Sequence, residues 1–301
     1  MERKKFIKTL GAAAVGTLLM NNLRSLAQTA GAWPDAEQPA PAVFIGHGAP
    51  LYALGNNPYV EAWRKLGEQF PRPRAIVSVS AHWLTPGSTR VSAVENPKTI
   101  YDFGRMDDRL YTLNYPAPGD PALAHFIANE LADVPVHEDH EWGFDHGTWC
   151  VLYHMYPDAD IPVIQLSIDY ARGAEYHHEL GRQLRFLRRK GVLVMASGNI
   201  VHNLRRLTFP ESNAFDWAIE FDAQSKALID TGDHKSLMAW ESLGSAARLS
   251  IPTPDHYFPL MYALGLRAEG DEVSYPIDGI AYGSTSMRSV VFSGAKASAL
   301  R

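Results

Sequence analysis

Twelve histidines and a single cysteine, Cys150, set the chemistry open to this chain. One thiol excludes an intramolecular disulfide, a CxxC redox pair and any thiolate-rich zinc or iron–sulfur site, so a bound metal would have to be held by nitrogen and oxygen. His47 stands in "VFIGHGAP", directly after an apolar run and between two glycines that let the backbone turn and leave the imidazole uncrowded. His82 closes "AIVSVSAHW", at the carboxyl end of a second β-branched run. In open α/β sheets ligands bind beyond the carboxyl ends of the strands, so two such imidazoles can converge on one ion. A lone histidine in a turn is more often a hydrogen-bonded structural residue; two at equivalent places on successive strands make the stronger case.

Three further histidines follow the same logic. His202, in "VMASGNIVHN", lies past another strand after a Ser-Gly-Asn turn. His256, in "PTPDHYFPLMYALG", lies near the start of a helix, where Asp255 reads equally well as a capping acid and His256 as a surface residue. His146, in "WGFDHGTW", sits in a loop among glycines and aromatics and suits a pocket wall or an acid–base group. Histidines 125, 137, 140, 154, 177, 178 and 234 lie in polar or helical contexts without a comparable turn and read as solvated. Cys150, in a helical stretch beside Trp149 and Val151, reads as a small buried hydrophobe.

The elements that must position these groups are short. β-branched runs at 42–45, 75–80, 89–94, 161–168, 192–196 and 289–293 alternate with amphipathic stretches, the pattern of βα units around a mostly parallel sheet. Helices are expected after Asn57-Pro58 and Asp120-Pro121, where a cap oxygen precedes a proline that loses no bond at the first helical position. Others are expected over 174–189, 214–229 and 254–264. The stretch from Asn96 to Gly119, rich in Pro, Gly, Asp and Tyr, should be a long ordered loop able to cover a pocket. The expected fold is therefore a single α/β domain, its sheet flanked by helices and its metal site at the carboxyl ends of the strands.

Several common functions are excluded by motifs that fail. "GHGAPLYALG" has Leu51 where a dinucleotide-binding turn needs its third glycine. "HHELGR" has Arg182 where a zinc-protease helix needs its second histidine, and no GxSxG elbow, P-loop or kinase signature occurs. With 46% apolar and 20% charged residues the chain is neither disordered nor fibrous. Its 28 basic against 33 acidic residues leave no phosphate-binding footprint, so nucleic acid is not an expected partner.

The strings "FIGHGAP", "AIVSVSAHW", "YDFGRMDDRLYTLNYPAPGDPALA", "GFDHGTWCVLYHMYPDADIPVIQLSID", "SGNIVHNLR" and "TPDHYFPLMYALG" together resemble the DOPA-dioxygenase branch of the class III extradiol ring-cleavage dioxygenases. The likeness runs in order from Pro41 to about Phe292. It implies one divalent metal held by His47, His82 and His256, with His202 as acid–base or fourth contact and His146 binding or protonating the substrate. It also implies cleavage of a catechol by O2 to a muconic semialdehyde. The wider family uses two histidines and a glutamate; a third histidine leaves zinc(II) open beside the iron(II) that O2 chemistry requires. Trp83, Tyr101, Phe103 and Trp142 are candidate walls for a planar ring, and Arg105 or Arg109 a candidate partner for a substrate carboxylate. Two other functions stay open on the same residues: a zinc-dependent hydrolase, and a non-catalytic Memo-like binding protein, against which the proton-transfer groups His146 and His202 argue.

The segment before this domain departs from the resemblance. Arg3, Lys4, Lys5 and Lys8 precede an apolar stretch from Leu10 to Met20, and Ser25-Leu26-Ala27 offers small residues at the cleavage positions. Residues 1–27 thus read as an export signal. The string "RKKFIKTLG" resembles a twin-arginine signal with one arginine replaced by lysine. The apolar stretch is too short to span a bilayer, so no stable membrane anchor is expected. Residues 28–40 then form a linker and 41–301 the catalytic domain, in the periplasm or exported; retention of the segment would leave the protein cytoplasmic. Cleavage after Ala27 leaves 23 basic and 32 acidic residues, a net charge of -9.

Overall fold

The computed structural model describes residues 31–131, 134–209 and 213–294. The proposed export signal lies outside the described residues, as do the first three residues of the linker. Ten strands are described: β1 (Ala42–Gly46), β2 (Ala75–Thr85), β3 (Thr89–Ser92), β4 (Val136–Asp139), β5 (Val163–Asp169), β6 (Val192–Gly198), β7 (Asp271–Ile277), β8 (Ile280–Ala281), β9 (Thr285–Ser286) and β10 (Ser289–Gly294). Eight form one sheet in the order β4-β3-β5-β2-β6-β1-β10-β7, and β8 and β9 pair separately. The centre, β5-β2-β6-β1, is wholly parallel. Antiparallel contacts join it to β3 on one side and to β10 and β7 on the other.

The strand period divides the core between two faces. Phe44, Val77 and Val194 contribute to one apolar cluster, their neighbours Val43, Ile76 and Leu193 to the other. Strands buried on both faces read as continuous apolar runs, which is why the central four stand out in the sequence. The first face is covered by helices that include Pro121–Glu130, Ala174–Gln183 and Phe258–Leu266; the second by Pro58–Gln69 and His146–Met155. Asn57 and Asp120 cap their helices as expected, accepting from Tyr59 and Val60 and from Leu123. Every residue of Phe258–Leu266 is buried, as a helix that is apolar all round must be.

The structure corrects several expectations. The stretch 174–189 breaks at Leu184 into Ala174–Gln183 and Arg185–Arg189, with Arg188 turned inward to donate to Ala40 O, Leu266 O and the Asp271 carboxylate. β4 and β7 had no apolar run to betray them: "VHED" carries one apolar residue, and "DEVSYPI" is an edge strand holding a proline. His146 begins a helix capped by Asp145 instead of lying in a loop. The helix near His256 starts two residues later, at Phe258, with no side-chain cap. Among the described residues no helix is long and apolar enough to cross a membrane.

His154 and His177 are buried, not solvated, and His125, His178 and His234 are half-buried; His137 and His140 are exposed as expected. His177 lies under the apolar helix, its ring 4.4 Å from that of Phe258 and its Nδ1 3.1 Å from the Tyr262 hydroxyl. Burial pushes its pKa down to about 4, against the opposing charge of Asp169. The folded value lies below the unfolded one, so this group's contribution is intact above about pH 6.5. It is lost as pH falls towards 4, because the unfolded chain takes up a proton the native site refuses, a term of about 3 kcal/mol. His177→Gln is therefore expected to lose less stability than the parent between pH 7 and 4.5, read as the shift of the urea midpoint; equal slopes would contradict the assignment.

Candidate metal centre

Five imidazoles gather at the carboxyl-end side of the central strands. His47 follows β1, its backbone N–H donating to Gly198 O at 3.2 Å, and Gly48 makes the turn with φ 64°. His82 lies inside β2, which runs on to Thr85 beyond its expected end; the pairing with β5 slips between Val79 and Leu84, and His82 occupies the slip. His202 is fixed beyond β6 by a bond from its N–H to Ser250 O at 2.9 Å and by an isolated bridge to Thr285. The His256 carbonyl accepts from Asn199 N at 2.9 Å. That approach requires glycine at 198, where a Cβ would stand 2.2 Å from the same carbonyl oxygen.

His146 is set by its helix, which a buried polar network docks on the sheet. Asp145 accepts from Ser80 Oγ and from Gln165 Nε2, both at 2.6 Å, and caps the helix at Thr148 N. Burial, helped by the charge of Asp102, pushes the Asp145 carboxyl up to about 6. Asp102, from the long loop, accepts from His146 N at 2.8 Å and His146 Nδ1 at 3.0 Å, with His82 Nδ1 at 3.4 Å.

These bonds decide which ring nitrogens are free. The Ser197 hydroxyl donates to Gly147 O at 2.6 Å, so its oxygen accepts from His47 Nδ1–H at 2.9 Å. Asp255 accepts from His256 Nδ1–H at 2.5 Å. With Nδ1 of His47 and His256 bound to acceptors and Nδ1 of His82 3.4 Å from the Asp102 carboxylate, all three turn Nε2 inward, and those of His47 and His82 stand only 3.1 Å apart. Two lone pairs so close repel unless a proton or a metal ion lies between them, and imidazoles oriented through Nδ1 by a carboxylate or hydroxyl are the usual surroundings of a metal. One ligand atom from each of these three residues lies within 4.8 Å of the others; the sets His82–Asp102–His146 and His202–Asp255–His256 also meet that limit. In the latter two sets the carboxylates already accept from Nδ1–H groups, so the all-histidine set fits a divalent ion best. Burial, with the neighbouring imidazoles, pushes the pKa values of His47, His82 and His202 well below the usual histidine range, keeping these rings neutral. Burial acts to raise Asp255, but the hydrogen bond and charge of His256 outweigh it and hold that carboxyl well below the usual range.

His146 and His202 flank the three. The His146 ring centroid is 3.8 Å from that of His82, and His202 stacks on His256 at 3.4 Å and 10°. A cavity of about 320 Å³ opens in front of the site, with His82, His146, His202 and His256 on its wall. The loop from Asn96 to Gly119 covers it as expected, contributing Asp102, Phe103 and Met106.

Of the proposed aromatic walls only Phe103 reaches the cavity. Trp83 and Trp142 stack on each other at 5.2 Å and 4°, and Tyr101 packs on Phe103, Tyr111 and Trp149. Arg105 and Arg109 are turned to solvent beside Asp108 and Asp107 and do not line it. Cys150 is buried in its helix, as expected. Asp102 and Ser197 carry no signal in the sequence that marks them as part of the site. Asp255, for which a helix cap was an equal alternative, orients the His256 ring and caps no helix.

A parallel sheet whose carboxyl edge gathers three imidazoles around one point, two of them anchored through Nδ1, with two more imidazoles and a cavity beside them, defines a site suited to metal-assisted chemistry. The chain belongs to the LigB family of aromatic ring-opening dioxygenases: residues 43–292 match the model of the catalytic LigB subunit. It is thus an oxidoreductase of the extradiol ring-cleaving class, a family that uses a metal. It is 48% identical over 256 residues to the 4,5-DOPA dioxygenase extradiol of Escherichia coli K12, covering 83% of this chain and 93% of that protein. The Beta vulgaris protein of the same name is 35% identical over 237 residues, covering 76% and 87%. The crystal structure of an uncharacterized protein from Escherichia coli K12 is similar with a TM-score of 0.73 and 44% identity, covering 84% of this chain and 99% of that one.

Proposed function

We propose that the protein cleaves a catechol ring with O2 next to one of its hydroxyl-bearing carbons, giving a muconic semialdehyde, at an iron(II) held by His47, His82 and His256. The observation that carries this reading is the convergence of the His47, His82 and His256 imidazoles beside a cavity of ring size, in a chain of the ring-opening family. When bound, iron(II) brings catechol and O2 together and conducts electrons from ring to oxygen, which zinc, without a second oxidation state, does not.

The remaining steps fall to the chain itself. A catechol must shed hydroxyl protons as it binds, and His202, neutral and exposed to the cavity, is placed to accept one and return it later. His146 donates Nδ1–H to Asp102, which leaves Nε2 as its working atom on the cavity wall. Phe103, 5.6 Å from the His146 ring and perpendicular to it, supplies a flat apolar side for the substrate ring.

Anaerobic loading with iron(II) or zinc(II), followed by DOPA, caffeate or protocatechuate in air, tests this reading. O2 uptake and a yellow product are expected with iron alone. No uptake with any catechol would overturn it and favour a zinc hydrolase or a binding protein.

A further inference from the structure

We infer that Gln165, buried in β5 and absent from the cavity wall, is a positioning residue that holds His146 in place through Asp145. The inference rests on the ring-cleaving reading above, in which His146 works at the cavity wall. On the face of the sheet covered by the helix His146–Met155, the central strands change character along their length. Ile76, Val163, Leu193 and Met195 open that face as apolar residues, and Ser78, Ser80, Gln165 and Ser197 end it as polar ones. The opposite face shows no such change: Val77, Val79, Leu166 and Ala196 keep it apolar to the same level. All four polar side chains are fully buried. Burying polar groups is costly unless each finds a partner, so the partners show what the patch serves.

Those partners are the residues that start the helix. Ser80 and Gln165 donate to the Asp145 carboxylate, Ser197 donates to Gly147 O, and Ser78 shares a bond of 2.8 Å with the Thr148 hydroxyl. Beyond this turn, Val151, Leu152 and Met155 belong to the apolar cluster of the same face. Apolar contact is non-directional and would hold the helix as well after a small slide; bonds from three strands to neighbouring residues of one turn would not. The polar seam lies only under the end that carries His146, so it supplies placement and not attachment. Gln165 grips Asp145 twice. It accepts from Asp145 N–H at 3.2 Å, which fixes its amide oxygen there and turns Nε2 to the carboxylate at 2.6 Å. Asp145 caps the helix at Thr148 N and directly precedes His146. Without Gln165 a buried N–H and a buried carboxylate oxygen lose these partners, and the turn must shift to find others. His146, its ring centroid 3.8 Å from that of His82, moves with it.

Exchanging the two side chains tests this. Gln165→Met removes both bonds to Asp145, and Asp145→Asn sets one NH2 group against another. Asp145→Asn combined with Gln165→Glu restores every bond, because a carboxylate at 165 accepts both from the backbone N–H and from an amide at 145, whose oxygen still accepts from Ser80 and Thr148. Three readouts are taken on the full chain: zinc per chain after desalting, ring 15N–1H spectra of the histidine-labelled zinc form, and kcat and KM of the iron form from O2 uptake. The His146 signals are assigned by their absence in His146→Gln. Each single variant is expected to keep the parent's metal content and to displace the His146 signals while those of His47 and His256 stay. A misplacement of about 1 Å then lowers kcat by about 10–100-fold with KM little changed. The double variant is expected to recover the signals and most of kcat. Unmoved His146 signals in both single variants, loss of metal from them, or no recovery in the double variant each overturn the inference. Should a single variant not fold, recovery in the double variant upholds the inference and its absence overturns it. The spectra need no turnover, so a parent that consumes no O2 fails the functional reading alone, and unmoved signals in a parent that does consume it fail only this inference.

Discussion

His47→Ala is expected to yield a folded protein that no longer holds metal. Metal per chain, read by mass spectrometry after desalting, should drop from near one to below about a tenth, and O2 uptake should fall on the order of 10³-fold or more, since a catalytic metal contributes several kcal/mol. The reason is geometric. His47 Nε2 faces His82 Nε2 at 3.1 Å, and alanine removes both that ligand atom and the Nδ1–H that the buried Ser197 hydroxyl accepts. Asp255→Asn should act through His256 at one remove, weakening metal affinity by about 10–100-fold without abolishing it, because an amide still accepts from Nδ1–H but lacks the charge. His137→Ala, on an exposed position of β4, should alter neither reading. Full metal content in His47→Ala would show that one of the other two clusters is the true site.

His202→Ala should separate binding from chemistry. Metal content is expected to stay near that of the parent, while kcat falls by about 10²–10⁴-fold, the usual range for a lost acid–base group. His146→Gln should give a loss of the same kind, with part of it in KM because that ring also borders the cavity. The stacking of His202 on His256 at 3.4 Å makes the outcome decisive: were His202 a metal ligand, its removal would empty the site together with the activity. Loss of metal in His202→Ala therefore reverses the assigned role, and an unchanged kcat removes it.

The histidines near the strand ends could be found from the sequence because a turn after an apolar run is a local signal. His47 and His202 needed no knowledge of what lies opposite. Asp102 and Ser197 gave no such signal: each matters only through a partner far away in the chain, His146 and His47 respectively. The helix around Cys150 was legible, but its start at His146 was hidden by Gly147 in the first turn, a residue that lowers helix propensity. His177 looked solvated because its segment is rich in polar residues, and His154 because its helical stretch has no turn like those at the strand ends, whereas their burial comes from what packs on them, Phe258 and Tyr262 for the first and Trp63 for the second. Trp83 and Trp142 were sensible wall candidates by type, yet two indoles within reach satisfy each other first. Four of the central strands were visible because both their faces are covered, and the edge strands were not because theirs are only partly so.

His47, His82 and His256 are delivered by three stretches that touch only once the sheet has closed. Such a centre cannot be half assembled: fraying of any one stretch releases what the others hold. An ion bound there consequently acts as a clasp on the whole polypeptide, adding about 2.7 kcal/mol to its unfolding free energy when free ion stands a hundredfold above its dissociation constant. Scarcity of that ion would then shorten the lifetime of the molecule itself, by exposing it to proteases, and not merely idle its chemistry.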